Sequence, residues 1–152
     1  MTKDVIVTVS GFHYDEQTMQ EGMAEPIEVI APAVYYFKNG KHYILYDEVV
    51  EGMPGTIKNR IKIQEGKMLE VVKSGIANSR MIFEKDRIAA APYATPFGEV
   101  VLGTYTKQLD MTFSEERIEV YARYSLDADG EKVSECDIRI KVEANDRKGS
   151  SR

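Results

Sequence analysis

The chain has one cysteine, no tryptophan and two histidines among 152 residues. Cys136 has no second cysteine with which to form an internal disulfide, so a reducing cytoplasm is the expected compartment. His13, His42 and Cys136 fall on separate runs without the local spacing of a zinc motif, so neither metal nor cofactor is expected. No apolar run approaches the roughly 18 residues of a membrane span, and no membrane partner is expected. The opening Met1-Thr2-Lys3-Asp4-Val5-Ile6-Val7-Thr8-Val9 lacks the long apolar stretch and small-residue cleavage site of a signal peptide. Positive charge is also scarce: 20 Lys+Arg against 25 Asp+Glu leave −5, which disfavours general nucleic-acid binding. There is no Gly-Xaa-Ser-Xaa-Gly element and no glycine-rich phosphate loop before a helix, so catalysis is disfavoured too.

What the chain has in quantity is period-two alternation. Arg117–Leu126 and Cys136–Glu143 alternate polar and apolar residues, and Ile57, Ile61 and Ile63 alternate with Lys58, Arg60 and Lys62. Each reads as a half-buried strand with one face on a core. Further strands are expected over 4–14, 26–38, 41–50, 68–75, 79–85, 87–92 and 98–113, joined by turn signals such as Asn39-Gly40, Glu65-Gly66 and Asp129-Gly130. Asp15–Glu25 reads as a loop or one helical turn, and Gly103 as a bend or bulge inside its long strand. Successive hairpins with one apolar face favour closure, which removes edge strands. The expected fold is therefore all-β, a closed antiparallel up-and-down β-barrel of about eight to ten strands. A two-sheet sandwich is the alternative. One domain spans 1–144, with a polar, frayed tail over 145–152.

Register can be read in three places. A two-residue Asn39-Gly40 turn sets Lys38 opposite Lys41 and Tyr35 opposite Ile44. A three-residue turn Gln64-Glu65-Gly66, with Gly66 left-handed, sets Arg60 opposite Glu70 and Ile61 opposite Leu69. In the last hairpin, pairing Arg117–Glu143, Glu119–Lys141, Tyr121–Arg139 and Arg123–Asp137 gives three opposite-charge pairs and one cation beside a ring. That register places Tyr124 opposite Cys136 inside and closes on Asp127–Val133.

Several elements in this order resemble a known family: Tyr43-Ile44-Leu45-Tyr46-Asp47-Glu48, then Val72-Lys73-Ser74-Gly75, Met81-Ile82-Phe83, and Tyr93-Ala94-Thr95-Pro96-Phe97-Gly98. The sequence is similar along nearly its whole length to the YwiB-like family of uncharacterised bacterial proteins. The resemblance implies a calycin-type, lipocalin-like barrel and brings no established activity with it. Lys73 stands where the family pattern has Arg. The Tyr93–Gly98 element is expected to form a corner, with Gly98 at positive φ and Tyr93 or Phe97 packed inward.

The candidate ligand-binding residues share inward parity: Tyr35, Tyr46, Glu48, Lys73, Tyr105 and Tyr124. Aromatic rings with one carboxylate and one ammonium would orient a small, partly apolar ligand in a barrel lumen. The opposing expectation is that Glu48 and Lys73 both lie solvated at the rim, or pair to close the barrel end. The 26–50 hairpin is apolar on its other face as well, through Val34, Tyr36, Tyr43 and Leu45. That face is a candidate interaction surface or homo-oligomer contact. The row Lys58, Arg60, Lys62 reads as a solvated strand face, and no nucleic-acid partner is expected. The leading functional expectation is a cytoplasmic, non-catalytic small-molecule binder. The alternative is an interaction module with a filled barrel.

Overall fold

The computed structural model describes residues 2–14, 27–49, 51–52, 54–75, 78–95 and 98–145. Asp15–Glu25, Pro96, Phe97 and most of the expected tail lie outside these residues, as do the side chains of His13 and Tyr93. Ten strands follow one another: β1 (Thr2–Tyr14), β2 (Ile27–Lys38), β3 (Lys41–Val49), β4 (Thr56–Gln64), β5 (Met68–Gly75), β6 (Ser79–Phe83), β7 (Ile88–Thr95), β8 (Gly98–Phe113), β9 (Arg117–Ala128) and β10 (Glu131–Ala144). All are antiparallel, in the order β6-β5-β4-β3-β2-β1-β10-β9-β8-β7. The first and last strands pair with each other, from Val5–Ala144 to Tyr14–Glu135. The seam lies instead between the sequence neighbours β6 and β7. Asp86 N–H donates to Thr106 O at 2.8 Å and Thr106 N–H to Arg87 O at 3.2 Å, which ties the β6–β7 connection to β8 beside the seam. The barrel is thus nearly closed.

Its interior is packed. Val5, Val7, Ile44, Ile61, Ile63, Leu69, Phe83, Val120, Ile140 and Val142 are all buried, and the ring of Phe83 meets Tyr124 edge-on with centroids 4.7 Å apart. The alternation of the sequence explains this directly, because residues two apart on a strand face the same side.

The last hairpin keeps the expected register from Arg117–Glu143 through Tyr124–Cys136. Arg117 reaches Glu143 at 3.0 Å, and the Arg139 guanidinium lies 4.5 Å from the Tyr121 ring centre. The other charges regroup: Arg117 also meets Glu119, Lys141 turns to Glu143, and Asp137 accepts from the Tyr121 hydroxyl at 3.3 Å. The closing pair differs from expectation. Asp127 pairs with Lys132, and Val133 is an extra residue in a bulge.

Two other details depart from the sequence reading. The β4–β5 turn is Glu65-Gly66-Lys67, closed by Lys67 N–H to Gln64 O at 3.0 Å, with Gly66 at φ +73°. Glu70 keeps to the outer face, but opposite Lys62, while Ile61 pairs with Val71. In β8 the irregularity is at Lys107, where the pairing with β9 shifts between Thr106 and Gln108, and Gly103 stays in register. A one-residue bulge flips the side chains beyond it. Thr104 and Thr106 are therefore buried before it, and Leu109, Met111 and Phe113 pack on the core after it. Gly98 has φ +118°, as the corner reading requires.

The wall is interrupted between β2 and β3. Their ladder runs from Lys38–Lys41 to Val34–Leu45 and stops. Yet β2 continues along β1 to Ile27, and β3 continues along β4 to Val49. The local chemistry explains the stop. Asn39 (φ 54°) and Gly40 (φ 77°) form a two-residue turn, so Lys38 and Lys41 exchange both hydrogen bonds. Every second pair does the same, at Tyr36–Tyr43 and Val34–Leu45. The next such pair would be Pro32–Asp47, and proline has no N–H to give.

Candidate functional site

The split opens into a cleft of about 920 Å³. Outward-facing residues from Asp4 on β1 to Ser74 on β5 form most of its lining, and the inward Val5, Ala33, Tyr46 and Asn59 lie at its base. On the inside it reaches Val5, Tyr46 and Asn59. Outside it is bounded by Lys58 and Arg60. Tyr46 and Asn59 are buried and stand opposite each other on β3 and β4.

Behind them lies a closed polar ring. Lys73 Nζ donates to Glu48 Oε1 and to Asn59 Oδ1, both at 2.8 Å. Asn59 Nδ2 donates to the same Glu48 oxygen at 2.8 Å and to Ile57 O at 3.4 Å. The row Tyr46–Asn59–Lys73–Ser79 runs straight across β3 to β6, which explains how residues far apart in sequence meet. Burial raises the Glu48 carboxyl's pKa. The hydrogen bonds from Lys73 and Asn59 and the ammonium charge outweigh it and hold the pKa below the ordinary value. Burial, with the Glu48 charge beside it, pushes the Tyr46 phenol up to about 12. A carboxylate held ionised by an ammonium is poorly suited to act as a general base near neutrality. The ring's chemistry is orientation: it fixes the Asn59 amide and keeps a neutral phenol at the cleft floor.

The other candidates sit elsewhere. Tyr35 accompanies His42 toward the opposite end of the barrel, its hydroxyl 2.7 Å from His42 Nδ1. His42 and Glu48 are six residues apart on β3, or about 20 Å. At that end the His42 ring stacks on Phe113 at 5.0 Å, beside a recess of about 150 Å³. Burial lowers the His42 pKa, and Glu65 opposes that. Tyr124 is part of the packed centre, against Phe83. Tyr105 shares neither the Thr104–Thr106 face nor the cleft, because even positions face inward before the Lys107 bulge. The structure therefore gathers Tyr46, Glu48 and Lys73, and separates Tyr35, Tyr105 and Tyr124 from them.

Asn59 went unnoticed in the sequence. The signal was there: it is the polar member of the inward set Ile57, Asn59, Ile61, Ile63. Among the described residues no group of His, Cys, Asp and Glu could hold a metal ion. Among the described residues no helix is long and apolar enough to cross a membrane.

The outer face of the same strands carries the expected apolar residues. Tyr36 and Tyr43 stack at 4.8 Å with planes 10° apart, and Val34 and Leu45 are 38% and 37% exposed at the cleft mouth. Beside them Glu70 is almost fully covered, because Arg80 (2.7 Å), Lys62 (3.3 Å) and Arg60 (3.4 Å) lie over it.

The family described as "Domain of unknown function (DUF1934)" matches residues 12–140. The uncharacterized beta-barrel protein YwiB of Bacillus subtilis (strain 168) is 31% identical over 114 residues, covering 75% of this chain and 78% of that protein. The crystal structure of the ywiB protein from Bacillus subtilis superposes with a TM-score of 0.77 at 26% identity. That match covers 95% of this chain and 93% of the other.

Proposed function

The chain belongs to the DUF1934 family of β-barrel proteins, and from that premise we propose that it is a non-catalytic binder of a small, partly apolar ligand. The ligand sits in the β2–β3 cleft, because the centre of the barrel is filled by side chains. The observation that carries this reading is the cleft itself. It offers about 920 Å³ with a buried phenol and a buried amide at its floor, within the range of small-molecule sites. Ala33, Val34 and Leu45 give it apolar walls, while Tyr46, held beside the Glu48–Asn59–Lys73 ring, supplies a directional polar group. A single, buried cysteine with no second cysteine to pair with supports a cytoplasmic setting. Native mass spectrometry of the chain purified from its own cells tests the reading. An adduct that Leu45→Arg at the cleft mouth abolishes is expected. A bare mass for the wild-type chain would overturn it.

A second reading rests on the Tyr36–Tyr43 stack with Val34 and Leu45. In it, this face binds another protein or a second copy of the chain. Sedimentation of the wild-type chain and of Tyr43→Glu separates the cases: a dimer that the substitution dissolves supports self-association.

A further inference from the structure

The split presents more than a cavity. It presents two strand edges facing one void, and this geometry points to a strand-acceptor site that takes an extended peptide into the β2–β3 gap. The inference rests on the cleft reading and names the class of its ligand.

The hydrogen-bonding parity fixes which backbone groups are available. On β2 the even-numbered residues direct N–H and C=O toward β3, as Val34, Tyr36 and Lys38 do within the ladder. Beyond Val34, those groups belong to Ile30 and Glu28, with the C=O alone from Pro32. On β3 the corresponding residues are Asp47 and Val49. No described strand pairs with either set on that side. The odd-numbered residues of β2 bond to β1, and the even-numbered residues of β3 bond to β4. The two edges are therefore held rigidly from behind while they face the void. Exposed strand edges are templates for another strand, and main-chain bonds supply affinity in that recognition mode. Pro32 also keeps the chain from satisfying the site by zipping itself shut.

Side-chain pattern follows from strand alternation. Inward-pointing peptide residues would meet Ala33 and Tyr46, so apolar ones fit. Outward-pointing residues meet charges of both signs, Lys58 and Arg60 on β4 and Asp4 and Asp47 on β1 and β3. Lys58 forms no ion pair within the described residues, although Asp47 stands across from it. Arg60 is the most distant of three cations sharing Glu70. On the β4 side the two cations favour acidic residues. The exposed Ile30, at 64%, lies on the free edge of β2 and gives the peptide a further apolar contact.

The test uses the full chain and fluorescein-labelled acetyl-Glu-Val-Glu-Val-Glu-Val-Glu-amide, read by anisotropy. Amide exchange is followed at Ile30 and Asp47. Saturable binding with slowed exchange at both amides is expected. The same peptide N-methylated at alternate residues should not bind, because it cannot form one of the two ladders. Ile30→Pro removes a donor facing the gap without touching the β1 ladder, and should weaken binding roughly tenfold. Ile30→Ala keeps the donor and should bind within about twofold of wild type, which controls for loss of the side chain. Equal binding of the N-methylated peptide, or no binding with unchanged exchange, would overturn strand insertion. A doubled mass with the gap filled by a second copy would overturn it as well. A small-molecule adduct retained in the absence of peptide binding would leave the cleft reading standing without this inference.

Discussion

Pro32→Ala tests whether one missing donor holds the barrel wall open. The substitution supplies the N–H that a Pro32–Asp47 pair lacks, in the register already set by Val34–Leu45. Two backbone hydrogen bonds then become available, each worth about 0.5–1.5 kcal/mol net. Against them stands the greater freedom of alanine in the unfolded chain, about 0.4–1 kcal/mol. The balance lies between about 0 and 2.5 kcal/mol, a rise of anywhere from about 0 to 10 °C in Tm for a chain of this size. Melting alone is therefore a weak assay. Amide exchange is decisive, because the Asp47 N–H faces the gap in the wild-type chain and would be bonded in a closed one. Slower exchange at Asp47 than in the wild-type chain, and a protected amide at the substituted position 32, with loss of any retained ligand, is expected. Fast exchange at Asp47 in the folded variant, with ligand retention unchanged, would show that something other than the proline sets the split.

Glu48 has a depressed pKa when folded, so its contribution is present above the ordinary carboxylate pKa and is lost as pH falls through the folded value. The stability gap between wild type and Glu48→Gln should therefore be largest near neutrality, at about 1 kcal/mol for this partly exposed pair, and should close in acid. A gap independent of pH, measured by urea titration, would refute the assignment. Glu70→Gln leaves Arg60, Lys62 and Arg80 crowded without their shared carboxylate, and should cost about 1–3 kcal/mol, with part of the loss recovered in high salt. An unchanged urea midpoint would count against that role. Burial raises the pKa of the Cys136 thiol, and the residue is 1% exposed, so native labelling by a thiol reagent should be slow and should accelerate on unfolding. Fast stoichiometric labelling of the folded chain would contradict its position opposite Tyr124.

Where each residue's choice was constrained by its neighbours, the sequence was informative. Four outward pairs between β9 and β10 agreed on one register, and the ladder follows it. Single-residue events were harder to read. The Val133 and Lys107 bulges carry no distinctive residue, while Gly103 looked like one and is regular. The β4–β5 turn sits one residue later than expected, since Gly66 accepts positive φ in either frame. The Glu48–Lys73 contact was foreseeable from parity. Asn59, which ties the pair to the cleft, was masked by the isoleucines around it. The split was legible in principle, because turn parity already aims the missing donor of Pro32 at β3. That step requires hydrogen-bond parity as well as side-chain parity, and hydrophobic patterning reports only the second.

A removable staple across the split tests most directly whether the opening is the ligand site. Ile30→Cys with Val49→Cys places two thiols on opposite edges while leaving Pro32 in place, and Cys136 is buried away from them. Native mass spectrometry of this variant from its own cells would be recorded reduced and oxidised. A ligand adduct on the reduced form that the oxidised, folded form loses is the result expected here. An adduct that persists with the disulfide closed would contradict the account.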